Sequence, residues 1–155
     1  MSPPGQGETA LLEEMLALVR GIDRVHSSGT LIDRSGIRLE RGLHPVVMTI
    51  AKLEPVRTGE LAQALALKSS TVSRHLARLE ALDLVRRIAD PDDKRASLLT
   101  LSPGGRRTHA RLNNAWAEIL SEQLNTAGSE DADAIATHLH QLVAALELIP
   151  LDAES

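Results

Sequence analysis

The sequence predicts a mainly α-helical fold with one small β-hairpin, and three observations carry that reading. The first is composition. Hydrophobic residues make up 43% of the 155, yet Leu supplies 26 and Ala 20, and Trp116 is the only Phe, Tyr or Trp. That mixture favours helix over the β-branched and aromatic surfaces of all-β folds. The second is spacing, because apolar residues recur at three- and four-residue steps through most of the chain. The third is charge, which is segregated. The net charge of −4 divides into −1 for residues 1–54, +5 for residues 55–111 and −8 for residues 112–155, where no Lys or Arg occurs. A basic middle between acidic flanks points to a localised surface for a polyanion.

Residues 1–9, rich in Pro and Gly, read as a disordered tail, and residues 10–155 as a single domain. Leu11, Leu12, Met15, Leu18, Val19, Ile22 and Val25 describe one face of a first helix, ended by Ser27-Ser28-Gly29. The charged stretch Asp33 to Gly42 has no clear assignment. His44-Pro45 starts a helix, since Pro suits the first helical turn; Val46, Val47, Ile50 and Leu53 form its apolar face and Pro55 stops it. Thr58 is the expected N-cap of the next short helix, with Glu60 in its first turn. Ser69 is the expected cap of another, whose Val72, Leu76, Leu79 and Leu82 fall at steps of four, three and three. Leu84–Ile88 and Ser97–Leu101 are candidate strands around the charged loop ADPDDKRA. Ser102-Pro103 restarts helix, continued by Leu112, Trp116, Ile119, Leu120 and Leu124. Ser129 is the expected cap of a last helix with the stripe Ile135, Leu139, Leu142 and Leu146.

The two short helices joined by Ala66-Leu67-Lys68 have the length and spacing of a helix-turn-helix. At 100° per residue, Leu76 and Leu79 lie within about 40° of Val72. Ser70, Thr71, Arg74 and Arg78 lie on the opposite side. Hydroxyls and amides at a helix N-terminus suit phosphates, and Arg suits guanine edges in a major groove. An ordinary solvated face would carry the same pattern, so the wheel alone leaves both readings open. A charged hairpin directly after this helix supplies the second contact of a winged helix-turn-helix.

The run LAQALALKSSTVSRHLARLEALDLVRRIADPDDKRASLLTLSPGG, Leu61–Gly105, resembles the MarR family of bacterial transcriptional regulators. The resemblance rests on LA..L, the Ser/Thr-rich helix start, LVRR at the strand entry, DPDDKR in the wing and LS..G after it. It extends more weakly over residues 43–111. Two positions depart from the family pattern, which has Gly in the turn and Gly before the Leu-Val strand entry; here they are Ala66 and Asp83. Asp tolerates a left-handed backbone fairly well and Ala less so.

The resemblance implies a DNA-binding lobe over about residues 43–103, with dimerisation helices over about 10–32 and 104–150. It implies a homodimeric, ligand-responsive repressor on double-stranded DNA with a pseudo-palindromic operator. Lys68, Ser70, Thr71, Ser73, Arg74 and Arg78 would contact DNA from the helix-turn-helix. Lys94 and Arg95 would do so from the wing, with Arg95 in the minor groove and Asp93 holding the wing's basic groups. Relatives bind small aromatic or amphipathic effectors, but no residue here is singled out for one. A winged-helix protein-interaction module without DNA binding, or a metal-responsive regulator, remain the alternatives.

No nucleophile-and-base set, phosphate loop or nucleotide fingerprint is present, so no enzyme activity and no cofactor are expected. Cysteine is absent, which excludes disulfides, thiolate metal sites and thiol redox sensing. His138 and His140 are two apart on a helix and point about 200° from each other, so no metal site is expected. Without an apolar run of membrane-span length, or a signal-peptide pattern at MSPPGQGET, the expected address is the cytoplasm.

Overall fold

The computed structural model of the chain describes residues 5–93, 96–128 and 131–147. They fall into two units, residues 1–116 and 117–155. In the first, helix α1 (Gln6–Ser27) starts inside the segment read as a disordered tail. Pro3 and Pro4 are the last helix breakers before it, and Glu8 lies in the first turn, where a carboxylate opposes the helix dipole. Gly29 ends the turn after α1 at φ +79°, and α2 (Thr30–Ser35) follows, taking up part of the unassigned stretch. A single 3₁₀ turn, Arg41–Leu43, leads into α3 (His44–Leu53), which starts at the expected His-Pro step.

Two residues, Val56–Arg57, form strand β1, which the sequence did not signal. Helix α4 (Thr58–Ala64) has Arg57 rather than Thr58 at its N-cap. The Glu60 carboxylate, at the third helical position, reaches back to accept the Arg57 backbone N–H at 2.9 Å, as in a capping box. Likewise Lys68, not Ser69, is the N-cap residue of α5 (Ser69–Ala81). Strands β2 (Val85–Ala89) and β3 (Ser97–Leu101) pair antiparallel from Val85↔Leu101 to Ala89↔Ser97. β1 adds to the other edge of β3, so the sheet order is β1-β3-β2.

The core lies between this sheet and the helices. α3 contributes Val46, Val47 and Ile50, α5 contributes Val72, Leu76 and Leu79, and the sheet contributes Val56, Leu99 and Leu101. Leu82, the fourth member of the α5 stripe, is instead 52% exposed, because the helix ends there and the chain turns. The two positions that depart from the family glycines are the only non-glycine residues with positive φ among those described, Ala66 at +50° and Asp83 at +52°. A left-handed conformation costs an ordinary L-residue about 1–2 kcal/mol, partly offset by the greater freedom of unfolded glycine. Ala66→Gly is therefore expected to raise stability by about 0.5–1 kcal/mol, read as a higher urea midpoint. Asp83→Gly should gain less.

Helix α6 (Pro103–Thr126) begins at the expected cap, where Ser102 Oγ accepts the Gly105 N–H at 2.9 Å. Gly105 is required there, because a Cβ would lie 1.9 Å from the Leu84 carbonyl oxygen. The second unit holds the end of α6 and α7 (Ala132–Glu147). The expected cap Ser129 lies outside the described residues; Asp131 Oδ1 accepts the Ala134 N–H at 2.8 Å and caps α7. None of the α1 residues is buried, and Leu12, Leu16 and Val19 are half or more exposed. On α7 the stripe residues Ile135, Leu139 and Leu146 are also exposed in the single chain. Among the described residues no helix is long and apolar enough to cross a membrane.

Candidate nucleic-acid interface

Helix α4, the turn at Leu65–Lys68 and α5 form the helix-turn-helix, and the β2–β3 hairpin follows as its wing. The turn is held by backbone bonds: Ala66 N–H donates to the Gln63 carbonyl at 3.0 Å and Leu67 N–H to the Ala62 carbonyl at 3.0 Å. Burying Val72, Leu76 and Leu79 turns the other side of α5 outward. Ser70, Ser73, Arg74 and Arg78 are exposed, Thr71 is half-buried, and Lys68 is exposed at the N-cap. One helix face thus brings together six of the eight residues singled out in the sequence. The other two, Lys94 and Arg95, lie outside the described residues.

Arg74 has no acidic partner among the described residues. Arg78 does: its guanidinium donates to the carboxylate of Glu40, which lies just before the 3₁₀ turn. Both side chains are about 60% exposed, at 61% and 60%, so water screens the pair. Such pairs contribute about 0–1 kcal/mol, too little to keep Arg78 from a phosphate or base edge.

The wing is held at its base by residues that the sequence reading did not select. Asp90, whose side chain is 3% exposed, accepts Arg57 Nε at 2.9 Å and Arg57 Nη2 at 2.6 Å through Oδ2. Its Oδ1 accepts the Asp92 backbone N–H at 2.9 Å. The Asp92 N–H first, and the Arg57 guanidinium with it, hold the Asp90 carboxyl below its usual range against the opposing effect of burial. Asp93, the expected wing support, accepts the Ala96 N–H through its carbonyl at 2.9 Å and so closes the loop. Asp90–Arg57 thus clamps β1 to the wing, and the Asp93 charge also acts on Arg57. An Asp directly before Pro in ADPDD was the available signal, because such residues bond their own backbone two positions on. Asp90→Asn removes the charge and keeps the shape. It is expected to leave far-UV helicity unchanged while speeding amide exchange over residues 91–96.

A second clamp ties the scaffold. Glu54, after α3, accepts Thr100 Oγ1 at 2.6 Å and the Leu101 N–H at 2.7 Å, and also pairs with Arg106 of α6. Burial raises its pKa, but the Thr100, Leu101 and Arg106 bonds outweigh burial and hold the carboxyl below its usual range. Within the same unit, Met48, Thr49, Ala51, Lys52 and His109 line an open groove of about 390 Å³. Among the described residues, no three His, Cys, Asp or Glu side chains are grouped to hold a metal ion.

This arrangement defines the class: a helix-turn-helix with a β-hairpin wing and flanking helices. Residues 39–97 match the model of the MarR family. The chain is 39% identical over 69 residues to the HTH-type transcriptional regulator YxaD of Bacillus subtilis (strain 168). That match covers 44% of this chain and about half, 48%, of the relative. Solved structures extend the likeness to the whole fold. The transcriptional regulator BldR from Sulfolobus solfataricus aligns with a TM-score of 0.62 at 22% identity, over 86% of this chain and 97% of that one. RV1404 from Mycobacterium tuberculosis aligns at 0.73 and 15% identity, over 92% and 95%. Staphylococcus aureus MarR, in complex with salicylate and kanamycin, aligns at 0.61 and 20% identity, over 88% and 90%.

Proposed function

We propose that the chain is a sequence-specific DNA-binding transcriptional regulator. In this reading it is a ligand-responsive repressor that acts as a homodimer on a pseudo-palindromic operator. The observation that carries the reading is the outward face of α5: Ser70, Ser73, Arg74 and Arg78 exposed opposite a fully buried stripe, in a segment of net charge +5. Lys68, Ser70, Thr71 and Ser73 meet phosphates at the start of the helix, where amides and hydroxyls suit anions. Arg74 and Arg78 read base edges in the major groove. Lys94 and Arg95 extend the contact from the wing, with Arg95 in the minor groove, where a narrow A·T-rich tract attracts a guanidinium. Asp93 and Asp90 support that wing.

The exposed apolar positions of α1 and α7 support the dimer, since a soluble monomer rarely leaves such contiguous apolar faces in water. Two copies place two recognition helices one helical turn of DNA apart, about 34 Å. The groove beside Met48 and His109 is large enough for a small aromatic or amphipathic effector, the class that includes the salicylate bound by the Staphylococcus aureus protein.

An operator selected from random duplex DNA and titrated at two salt concentrations tests the reading. Log K should fall with log salt by about 0.9 per neutralised phosphate. Arg74→Ala should cost about 1–3 kcal/mol on that operator and relax preference at one base pair. Arg95→Ala should cost more on A·T-rich than on G·C-rich flanks. A protein that selects no sequence and binds with no salt dependence is instead a protein-interaction module.

A further inference from the structure

Two buried side-chain nitrogens among the described residues have no hydrogen-bond partner, and one of them is His44 Nε2. His44 opens α3, is 7% exposed, and plays no part in the proposed DNA contact. Its Nδ1 lies 3.1 Å from Nε2 of His26 on α1, and Nδ1 of His26 lies 3.0 Å from the Ile22 carbonyl oxygen. Those contacts assign the protons. A carbonyl only accepts, so His26 Nδ1 carries hydrogen. A neutral His26 then has a bare Nε2, which must accept from His44 Nδ1–H. A neutral His44 is left with a bare Nε2, the nitrogen that has no partner. With both rings neutral, every contact is satisfied and the one orphan is a lone pair, the cheaper kind to bury.

A proton has no good place to go. On His44 Nε2 it makes a buried cation with no acceptor. On His26 Nε2 it forces His44 to become the acceptor and to carry its own hydrogen on the orphaned Nε2. The surroundings do not compensate. A small cavity of about 60 Å³ beside the pair is lined by Leu31 and Ile32 of α2 and by Leu112 of α6. The charged group on that lining is Arg41, from the 3₁₀ turn, and it is cationic. From α6, His109 acts on His44 in the same sense as His26. Asp23 on α1, the nearby acid, is already engaged by Arg41. Trp116 of α6 closes the cluster, its ring 5.5 Å from His26 and 6.4 Å from His44, nearly parallel to the latter at 13°.

We propose that His26, His44 and Trp116 form a proton-operated latch between α1 and α3, closed when both imidazoles are neutral and opened when the pair takes up a proton. Burial, then His26 and then His109, lower the His44 pKa from 6.5 to about 4. In the closed latch His44 thus resists the proton until about pH 4, whereas once released it accepts one near 6.5, and opening falls between the two. The joint lies next to the DNA-contacting helix: the 3₁₀ turn before His44 carries Arg41, and Glu40 beside it pairs with Arg78 of α5.

Trp116 is the only Trp in a chain without Tyr, so intrinsic emission reports this cluster alone. The full chain titrated from pH 8 to pH 4 should show a red-shifted, partly quenched emission with a midpoint between about 4 and 6.5, while far-UV helicity persists through that midpoint. His26→Gln and His44→Asn should each abolish or displace the transition, and His109→Gln should leave it in place with a small upward shift. His26 is partly exposed, so its variant remains informative if His44→Asn fails to fold. An emission transition unchanged in His26→Gln, or one that coincides with loss of helicity, overturns the latch. Operator affinity falling with the same midpoint extends the latch to DNA, an arm that rests on the function proposed above. A protein with the emission transition but no DNA binding at any pH contradicts that function and leaves the latch standing.

Discussion

Leu76→Ala is expected to lower the unfolding free energy by about 3–5 kcal/mol, the cost of removing a large side chain from a packed interior and leaving a cavity. Leu76 is fully buried at the middle of α5, between Val72 and Leu79, and packs in the core shared by α3, α4 and the sheet. Domains of this size have about 5–15 kcal/mol in total, so the variant loses much of its margin. Leu82→Ala, on the same apolar repeat, should cost under about 1 kcal/mol, because Leu82 is already 52% exposed. Urea unfolding of the two variants compares them directly. Equal losses would mean that Leu82 is covered, or that the α5 stripe is not the buried one.

Acidification is expected to destabilise the protein well before its carboxylates titrate. The unfolded chain takes up a proton on His44 at the ordinary 6.5, and the folded chain resists it until about 4. The stability from this neutral, buried imidazole is therefore fully present above pH 6.5 and is lost progressively as pH falls toward 4. Over that window the shift corresponds to about 3 kcal/mol. Glu54 adds a second loss at lower pH: its depressed carboxyl contributes above the ordinary carboxylate range, and the contribution disappears as the pH falls through its folded value. Urea unfolding at pH 7, 5.5 and 4.5 should give steadily lower free energies, with the upper part of the slope reduced in a folded His44→Asn protein. A flat profile between pH 6.5 and 4.5 would contradict the burial of a neutral His44.

The helices were legible because their signals are local. The α5 stripe, the His44-Pro45 start and the Ser102-Pro103 cap each need only a few neighbouring residues. The turn positions Ala66 and Asp83 could also be read, since a left-handed backbone was expected where relatives have glycine. What the sequence hid depends on partners far along the chain. β1 is two residues long and shows no alternation; only β3 makes it a strand. Glu54 meets Thr100 across 46 positions, and nothing near Glu54 marks it as a clamp. In the wing the sequence pointed to Asp93; that Asp90 meets Arg57 depends on how β1 lies against β3, which no local pattern shows. Apolar spacing also left open what covers α1 and α7, because a helix buried within the chain and one covered by a second copy share the same pattern.

If α5 reads bases from the major groove, methylation of guanine N7 must interfere with binding, since that atom is presented only there. On a selected operator, methylation at two clusters of guanines one helical turn apart should block binding, and Arg74→Ala or Arg78→Ala should remove the interference at one position in each cluster. Binding indifferent to N7 methylation, or an interference pattern unchanged in both variants, would mean that α5 does not read bases in the major groove.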